Sequence, residues 1–143
     1  MTSLKLGFAG SPVFSEKVLQ LLLDYPNTKK DLVLVLTQPG RKKGRGQKVL
    51  NTPVEILAKA NKIAVFNPIK LDTLEDELLC ALKNLDLLIV VAYGLMIPLK
   101  ILRLPRLGCV NIHPSLLPKW RGAAPIQRSI ESGDKETGVC LMQ

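Results

Sequence analysis

The sequence predicts an α/β fold in which a mostly parallel sheet carries helices on both faces. Short apolar segments of strand length alternate along the chain with segments whose apolar residues have helical spacing. Two of the apolar segments, 32–36 and 86–91, are nearly continuous runs, as expected for strands that are buried on both faces. The 143 residues are 47% hydrophobic and 22% charged, a composition that fits one domain with a sizeable core.

The predicted strands are apolar runs that end at turn-forming residues. Gly10-Ser11-Pro12 closes the first run, and Ala92-Tyr93-Gly94 leaves the fourth. Thr37-Gln38-Pro39-Gly40 breaks the second run and opens a long polar loop that reaches Thr52. In order, the strands are residues 4–9, 32–36, 64–66, 86–91, 108–112 and 138–142.

Helices are predicted between these strands. The first has leucines at helical spacing and ends at Tyr25-Pro26-Asn27. The second begins at Pro53 after a threonine cap, because proline suits the first helical position. The third has the acidic residues 75–77 in its first turn, where the helix dipole favours them. In order, the helices are residues 13–24, 53–61, a segment that starts at Asp72 or Thr73, and 124–132.

The formal net charge of +8 is concentrated in two segments. No acidic residue lies between Asp31 and Glu55, or between Asp86 and Glu131, although both segments are rich in basic residues. Such an excess favours a polyanionic partner, but charge alone leaves a solvated surface equally open. The basic residues of the first segment are Arg41, Lys42, Lys43, Arg45 and Lys48.

Several classes of protein are disfavoured by what the sequence lacks. No apolar run reaches the roughly 18 residues of a membrane span. The first residues have neither the charged region nor the apolar stretch of a secretory signal. Cys80, Cys109 and Cys140 are far apart, so neither a disulfide framework nor a metal site is expected. We therefore expect a cytoplasmic protein that makes no membrane contact.

The most informative pair of residues is Asn111 and His113. They lie two apart at the carboxyl end of the fifth strand, so both side chains point to the same face, and ligands of parallel sheets bind beyond such strand ends. An amide can stabilise an oxyanion and an imidazole can move protons, which together suit acyl transfer. Spacing alone leaves a structural role open for both. Trp120 is expected either to pack under the neighbouring loop or to fill space in the core, and packing is favoured.

These residues belong to a pattern that resembles a known family. N-I-H-P-S-L-L-P at 111–118 and W-R-G-A-A-P-I-Q at 120–127 resemble the signature of folate-dependent formyltransferases. The resemblance continues through F-A-G-S-P-V-F at 8–14, the basic segment 37–48 and V-V-A-Y-G-L-M-I-P at 90–98. Within that family, the chain is similar to the members that formylate methionyl-tRNA. The resemblance implies the formyltransferase version of a Rossmann-like sheet.

The resemblance also implies roles for the matching residues. Asn111 and His113 match two members of a catalytic Asn-His-Asp trio. The implied formyl donor is 10-formyltetrahydrofolate, the implied acceptor is the α-amine of initiator methionyl-tRNA, and no metal is implied. Folate is held by Ser115, Leu116, Leu117 and Pro118 and, at the pterin ring, by Val91, Ala92, Tyr93 and Gly94. The implied contacts to the tRNA are made by Arg41, Lys42, Lys43, Arg45 and Lys48, with Arg45 at the best-marked position.

The third catalytic residue of the family, an Asp, would lie just beyond Gln143. The family's C-terminal β-rich domain is likewise not encoded in these residues. We therefore expect 1–143 to be an N-terminal catalytic portion, monomeric and weakly active or inactive alone. Two other functions stay open: a related formyltransferase or formyl-folate hydrolase that acts on a small molecule, and an inactive fragment that binds RNA or folate.

Overall fold

The structure is a computed structural model that describes residues 3–43 and 48–143. Within these ranges the strands are β1 (Leu6–Gly10), β2 (Leu32–Leu36), β3 (Arg41–Lys43), β4 (Lys48–Leu50), β5 (Ala64–Phe66), β6 (Leu87–Val91), β7 (Cys109–His113) and β8 (Cys140–Met142). The helices are α1 (Val13–Asp24), α2 (Pro26–Asp31), α3 (Pro53–Ala60), α4 (Asp76–Lys83), α5 (Leu99–Leu102) and α6 (Pro125–Glu131). None of the helices in these ranges is both long and apolar enough to cross a membrane.

The main sheet has six strands in the order β5-β2-β1-β6-β7-β8. All neighbouring pairs are parallel except β7 and β8, so the predicted mostly parallel sheet is confirmed. The chain moves outward from β1 to β2 and β5, and then returns to β6 on the other side of β1. This reversal opens a crevice beyond the carboxyl ends of the central strands, the usual place for a ligand in such sheets.

Helices cover both faces of the sheet because the central strands are apolar on both faces. In β2, Leu34 and Leu36 belong to the core under α4, whereas Val35 belongs to the core under α1 and α3. Neighbouring side chains of a strand point to opposite faces, so a continuous apolar run is required where both faces are buried. The two apolar layers hold the ends of β6 and β7 in fixed positions.

The predicted long polar loop between β2 and Thr52 is wrong in part. Arg41–Lys43 and Lys48–Leu50 form an antiparallel pair in which Lys42 lies opposite Val49. Charged residues are depleted in strands, so composition hides this pair. Its strands are held by backbone pairing with each other, which no periodicity of the sequence reveals.

The helix predictions missed α2 and α5 and misplaced the start of α4. The helical backbone resumes at Pro26 and forms α2, because proline is tolerated at the first position of a helix. Helix α4 begins at Asp76, with Glu75 as its N-cap, and the predicted start at Asp72 or Thr73 is wrong. Helix α5 has a single turn, too short to produce an apolar periodicity.

Candidate functional site

The end of β7 opens into a cavity of about 750 Å³. Strand β7 lies between β6 and β8, with Asn111 opposite Val90 on one side and Met142 on the other. The cavity is lined by Asn111, His113, Leu117, Pro118, Arg121, Gly122 and Met142. The structure thus brings together four residues singled out in the sequence and adds Arg121, Gly122 and Met142.

The side chain of Asn111 is available to a ligand. It is half-buried, and no residue in the described ranges forms a hydrogen bond with its amide. The backbone is fixed by strands on both sides, so the amide is presented from a rigid element. An amide N–H held in this way can donate to an oxygen that becomes negative during a reaction.

His113 is buried, with 8% of its surface exposed, and its ring is anchored at one nitrogen. Nε2 lies 2.9 Å from the backbone carbonyl oxygen of Trp120. A carbonyl oxygen can only accept a hydrogen bond, so Nε2 must carry the proton. In the neutral ring, Nδ1 is then the nitrogen with a free lone pair, which makes it the nitrogen that can take up a proton.

The loop after His113 is folded on itself. Ser115 is fully buried, and its Oγ donates to the carbonyl oxygen of Lys119 at 2.7 Å. The Leu117 N–H lies 3.4 Å from Cys140 Sγ, which ties the loop to β8, and the Leu117–Pro118 peptide bond is cis. Leu116 is half-exposed and packs against Gly138. Of the four implied folate contacts in this loop, Leu117 and Pro118 line the cavity, whereas Ser115 shapes the loop.

The segment Val91–Gly94 lies at the neighbouring strand end but outside the lining of the cavity. Ala92 and Gly94 have φ values of 43° and 84°, so the chain turns sharply where it leaves β6. The carbonyl oxygen of Tyr93 accepts hydrogen bonds from Ser11 Oγ and Gln38 Nε2, each at 3.0 Å. Burial raises the pKa of the Tyr93 phenol to about 12, so this side chain is a neutral part of the core.

The basic segment is described only in part. Arg41 and Lys42 are exposed on β3, and Arg41 Nη2 donates to Gln38 Oε1 at 2.6 Å. Arg45 lies outside the described residues, as do the side chains of Lys43 and Lys48. Since Gln38 also bonds Tyr93, one side chain connects the base of the β3–β4 pair to the end of β6.

Sequence reasoning missed the surroundings of Trp120. The tryptophan is half-buried, and its indole Nε1 donates to Asp134 Oδ2 at 2.7 Å. Lys119 Nζ lies 2.9 Å from the other oxygen of Asp134, and the two donors hold the pKa of that carboxyl below its ordinary value. The structure therefore adds a hydrogen bond to the packing that was expected of Trp120. No local signal relates residues 120 and 134, because they meet only through the turn after α6.

The described residues contain no cluster of metal ligands, and the thiol of Cys109 is neutral. In residues 3–43 and 48–143, no three His, Cys, Asp or Glu side chains form a group that could hold a metal. Burial raises the pKa of Cys109 to about 11, which keeps this thiol protonated.

A second cavity of about 510 Å³ lies beyond β5, is lined by Phe66, Asn67 and Ile69 among others, and contains none of the predicted site residues.

Together, the sheet and the amide and imidazole at its edge define an α/β protein with a candidate acyl-transfer site. The chain belongs to the formyl transferase family, whose model matches residues 4–143. The methionyl-tRNA formyltransferase of Coxiella burnetii (strain RSA 493 / Nine Mile phase I) is 51% identical over 142 residues, which cover 99% of this chain and 44% of that protein. The chain therefore spans less than half the length of the curated relatives that it matches.

Solved structures share the fold. Glycinamide ribonucleotide transformylase 1 from Geobacillus kaustophilus matches 98% of this chain and 73% of its own chain, with a TM-score of 0.73 at 23% identity. A sugar 3N-formyl transferase, solved in the presence of dTDP and 5-N-formyl-THF, matches 99% of this chain and 46% of its own, with a TM-score of 0.58 at 20% identity. Both support the formyltransferase version of the parallel sheet.

Proposed function

We propose that this chain carries the formyl-transfer site of a methionyl-tRNA formyltransferase. In this proposal, the formyl group of 10-formyltetrahydrofolate moves to the α-amine of initiator methionyl-tRNA. The observation that carries the proposal is the Asn111 amide, which has no partner in the described residues and lies with His113 in one cavity. The 51% identity to the Coxiella enzyme supports methionyl-tRNA as the acceptor.

The proposed reaction exchanges one carbon–nitrogen bond for another. The methionyl amine attacks the formyl carbon, the bond from that carbon to N10 of the folate breaks, and one proton moves from the amine to N10. Negative charge develops on the formyl oxygen during the attack. Asn111 donates a hydrogen bond to that oxygen, and one such donor typically lowers the barrier by about 3 kcal/mol.

His113 contributes the proton chemistry in this proposal. Its Nε2–H is held by the Trp120 carbonyl, which leaves Nδ1 to accept a proton or to hydrogen-bond the reacting groups. A ring held at one nitrogen loses little freedom when the substrates bind, so its free nitrogen is already oriented.

Features of the cavity support a folate donor. Leu117, Pro118 and Met142 give it apolar walls, which suit the flat rings of a pterin and an aminobenzoyl group, while Asn111 and His113 supply the polar edge. We also propose that Val91, Ala92, Tyr93 and Gly94 contact the pterin from the neighbouring strand end. This part of the proposal rests on the family resemblance.

The acceptor tRNA is proposed to contact the basic segment. Arg41 and Lys42 project from β3 and are exposed, and Lys43, Arg45 and Lys48 belong to the same segment of sequence. Phosphate contacts should dominate, because only 4% of the residues are aromatic and base stacking has few platforms.

A competition between acceptors tests this function. The natural protein that contains residues 1–143 is supplied with formyl-labelled 10-formyltetrahydrofolate, methionyl-tRNA and glycinamide ribonucleotide. We expect the label on the methionyl α-amine of the tRNA. Label only on the small amine would identify a small-molecule formyltransferase, and label only in free formate would identify a hydrolase. Binding of tRNA or folate without transfer would favour a binding module.

A further inference from the structure

We propose that Asp134 is a positioning residue for His113 and acts through Trp120. The Asp134 carboxylate holds the indole of Trp120, and the backbone carbonyl of the same tryptophan holds the His113 ring. The inference rests on the proposed function only in that His113 takes part in formyl transfer. The two hydrogen bonds that link Asp134 to His113 can be tested without a substrate.

The connection from Asp134 to His113 consists of two short hydrogen bonds. Trp120 Nε1 donates to Asp134 Oδ2 at 2.7 Å, and His113 Nε2 donates to the Trp120 carbonyl oxygen at 2.9 Å. The carboxylate is itself fixed. Its side chain is only 14% exposed, Lys119 Nζ donates to its second oxygen at 2.9 Å, and its backbone N–H bonds the Ser129 carbonyl at the end of α6.

The backbone of Trp120 needs this support. Its φ is 57°, in the left-handed region that a bulky L-residue rarely enters, and such a conformation persists only where the surroundings impose it. The preceding residue is held by Ser115 Oγ, which donates to the Lys119 carbonyl at 2.7 Å. Asp134 holds the side chain of Trp120 itself. The direction of the Trp120 carbonyl, and with it the acceptor for His113, therefore depends on both anchors.

Loss of the Asp134 acceptor should affect His113 through a series of structural changes. The indole loses its partner, the left-handed backbone of Trp120 relaxes, and Nε2–H loses the carbonyl that fixes it. The ring can then rotate, and Nδ1 no longer has one orientation toward the cavity. The ion pair with Lys119 is a separate interaction of the same carboxylate, so removing Lys119 alone should leave the ring in place.

NMR of the 143-residue chain tests the proposal, because the chain has one histidine and one tryptophan. In the wild type we expect the His113 proton on Nε2, with both Nε2–H and the Trp120 indole N–H protected from exchange with solvent. Asp134→Ala and Trp120→Phe should speed exchange of the histidine proton by about tenfold, the effect of losing one good hydrogen bond. Asp134→Asn keeps an acceptor for the indole and should restore protection.

The control is Lys119→Met, which removes the ion pair and leaves the indole bond. It should change the exchange rate by less than about twofold, as expected for an exposed ion pair. Three results would overturn the proposal: a wild-type proton on Nδ1, an unprotected indole N–H in the wild type, or equal effects of Lys119→Met and Asp134→Ala. The first two need no variant, so they decide the matter even where a substitution prevents folding. Since no substrate is used, a failure here is separate from a failure of the proposed activity.

Discussion

Asn111 shows how a single residue becomes available for chemistry. Its backbone is bonded within the sheet between β6 and β8, yet its amide has no partner among residues 3–43 and 48–143. An amide of this kind at the edge of a cavity has a desolvation cost that a ligand oxygen can offset. The neighbouring His113 is anchored at Nε2, so the two side chains offer one donor and one free ring nitrogen to the same cavity.

The first prediction concerns the Asn111 amide. Asn111→Ala should lower the turnover of formyl transfer by roughly 100-fold or more, because a donor to the developing oxyanion is lost. Folate affinity should stay nearly unchanged, since that donor acts mainly in the transition state. Turnover and folate binding are measured separately on the natural protein that contains residues 1–143. A wild-type turnover in the variant would remove Asn111 from the mechanism.

The second prediction concerns Gly94, with Gly122 as a matched control. Both have a φ of 84°, but a Cβ at Gly94 would collide with Gln38 Nε2, whereas a Cβ at Gly122 meets nothing within 4 Å. Gly94→Ala must therefore displace Gln38 from the Tyr93 carbonyl in addition to straining the backbone. It should lower the free energy of unfolding by about 1 kcal/mol more than Gly122→Ala, in denaturant titrations. Equal losses would mean that Gln38 moves at no cost.

Sequence reasoning reached the residues of β7 and missed those that orient them. Asn111 and His113 are two apart on a strand, and the two-residue period of a strand is enough to place them on one face. The Trp120 carbonyl could not be anticipated as the partner of His113. It depends on a left-handed backbone at a bulky residue and on a carboxylate fourteen positions later, and neither has a local signature.

At the scale of an element, helix α3 is fixed by hydrogen bonds at both of its ends. Thr52 caps its first turn by accepting from the Glu55 N–H, and Pro53 occupies the first helical position. At the other end, Ile63 N–H bonds the Ala58 carbonyl and Lys62 N–H bonds the Lys59 carbonyl, which is a Schellman motif. That motif requires a left-handed residue, and Lys62 supplies it with a φ of 59°.

The third prediction follows from that position. Lys62→Gly should raise the free energy of unfolding by about 0.5–1 kcal/mol, because glycine adopts the left-handed region without steric cost. The matched control is Lys17→Gly, an exposed lysine inside α1, which should lower it by about 1 kcal/mol. Thermal or denaturant unfolding measures both. A destabilised Lys62→Gly variant would show that the lysine side chain contributes more than its backbone costs.

The elements that sequence reasoning found are those with strong local signals. β2 and β6 are continuous apolar runs, and α1 and α3 have marked apolar spacing and a proline or a cap at one end. The β3–β4 pair and the single-turn α5 lack such signals, because their residues are charged or too few to form a periodic pattern. Their conformation is set by pairing and by the core that they adjoin.

At the scale of the whole molecule, the exposed basic strand β3 is joined to the carboxyl end of β6. Gln38 joins Arg41 on β3 to the Tyr93 carbonyl at the end of β6, so the proposed tRNA and folate regions share one hydrogen-bonded side chain. The exposed charge of Arg41 and Lys42 should therefore act beside the carboxyl end of β6.

The fourth prediction tests that charge distribution. Arg41→Ala should weaken tRNA binding and reduce the salt dependence of the binding constant by about one unit of slope, as expected for one lost phosphate contact. Lys30→Ala is the control, because α2 precedes β2 and lies at the opposite edge of the sheet. Binding is measured over a range of salt concentrations. Equal slopes for the two variants would make the β3–β4 pair a solvated surface.

The fifth prediction concerns acid stability. Asp86 accepts from the Lys5 N–H and from Arg106 Nε, and these bonds hold its pKa below the ordinary value of 3.8. A carboxyl with a lowered pKa in the folded state contributes stability above pH 3.8 that is lost as the pH falls through the folded pKa. Asp86→Asn should therefore flatten the fall in unfolding free energy below about pH 4, in denaturant titrations at a series of pH values.

Arg106→Gln offers a check on the same pair from the other side. It removes one of the bonds that lower the pKa of Asp86 and should also flatten the acid limb, although less than Asp86→Asn because the Lys5 N–H remains. Acid limbs identical to that of the wild type in both variants would contradict a role of this carboxyl in acid stability.

The central claim is that a formyl folate binds at the end of β7, and NMR titration of the chain with 5-formyltetrahydrofolate, a stable relative of the donor, tests it most directly. We predict saturable shifts of the Asn111 side-chain amide and the His113 ring, with little change at Asn67 in the second cavity. Saturable binding that moves the Asn67 signals and leaves Asn111 and His113 unchanged would contradict the claim, as would the absence of binding.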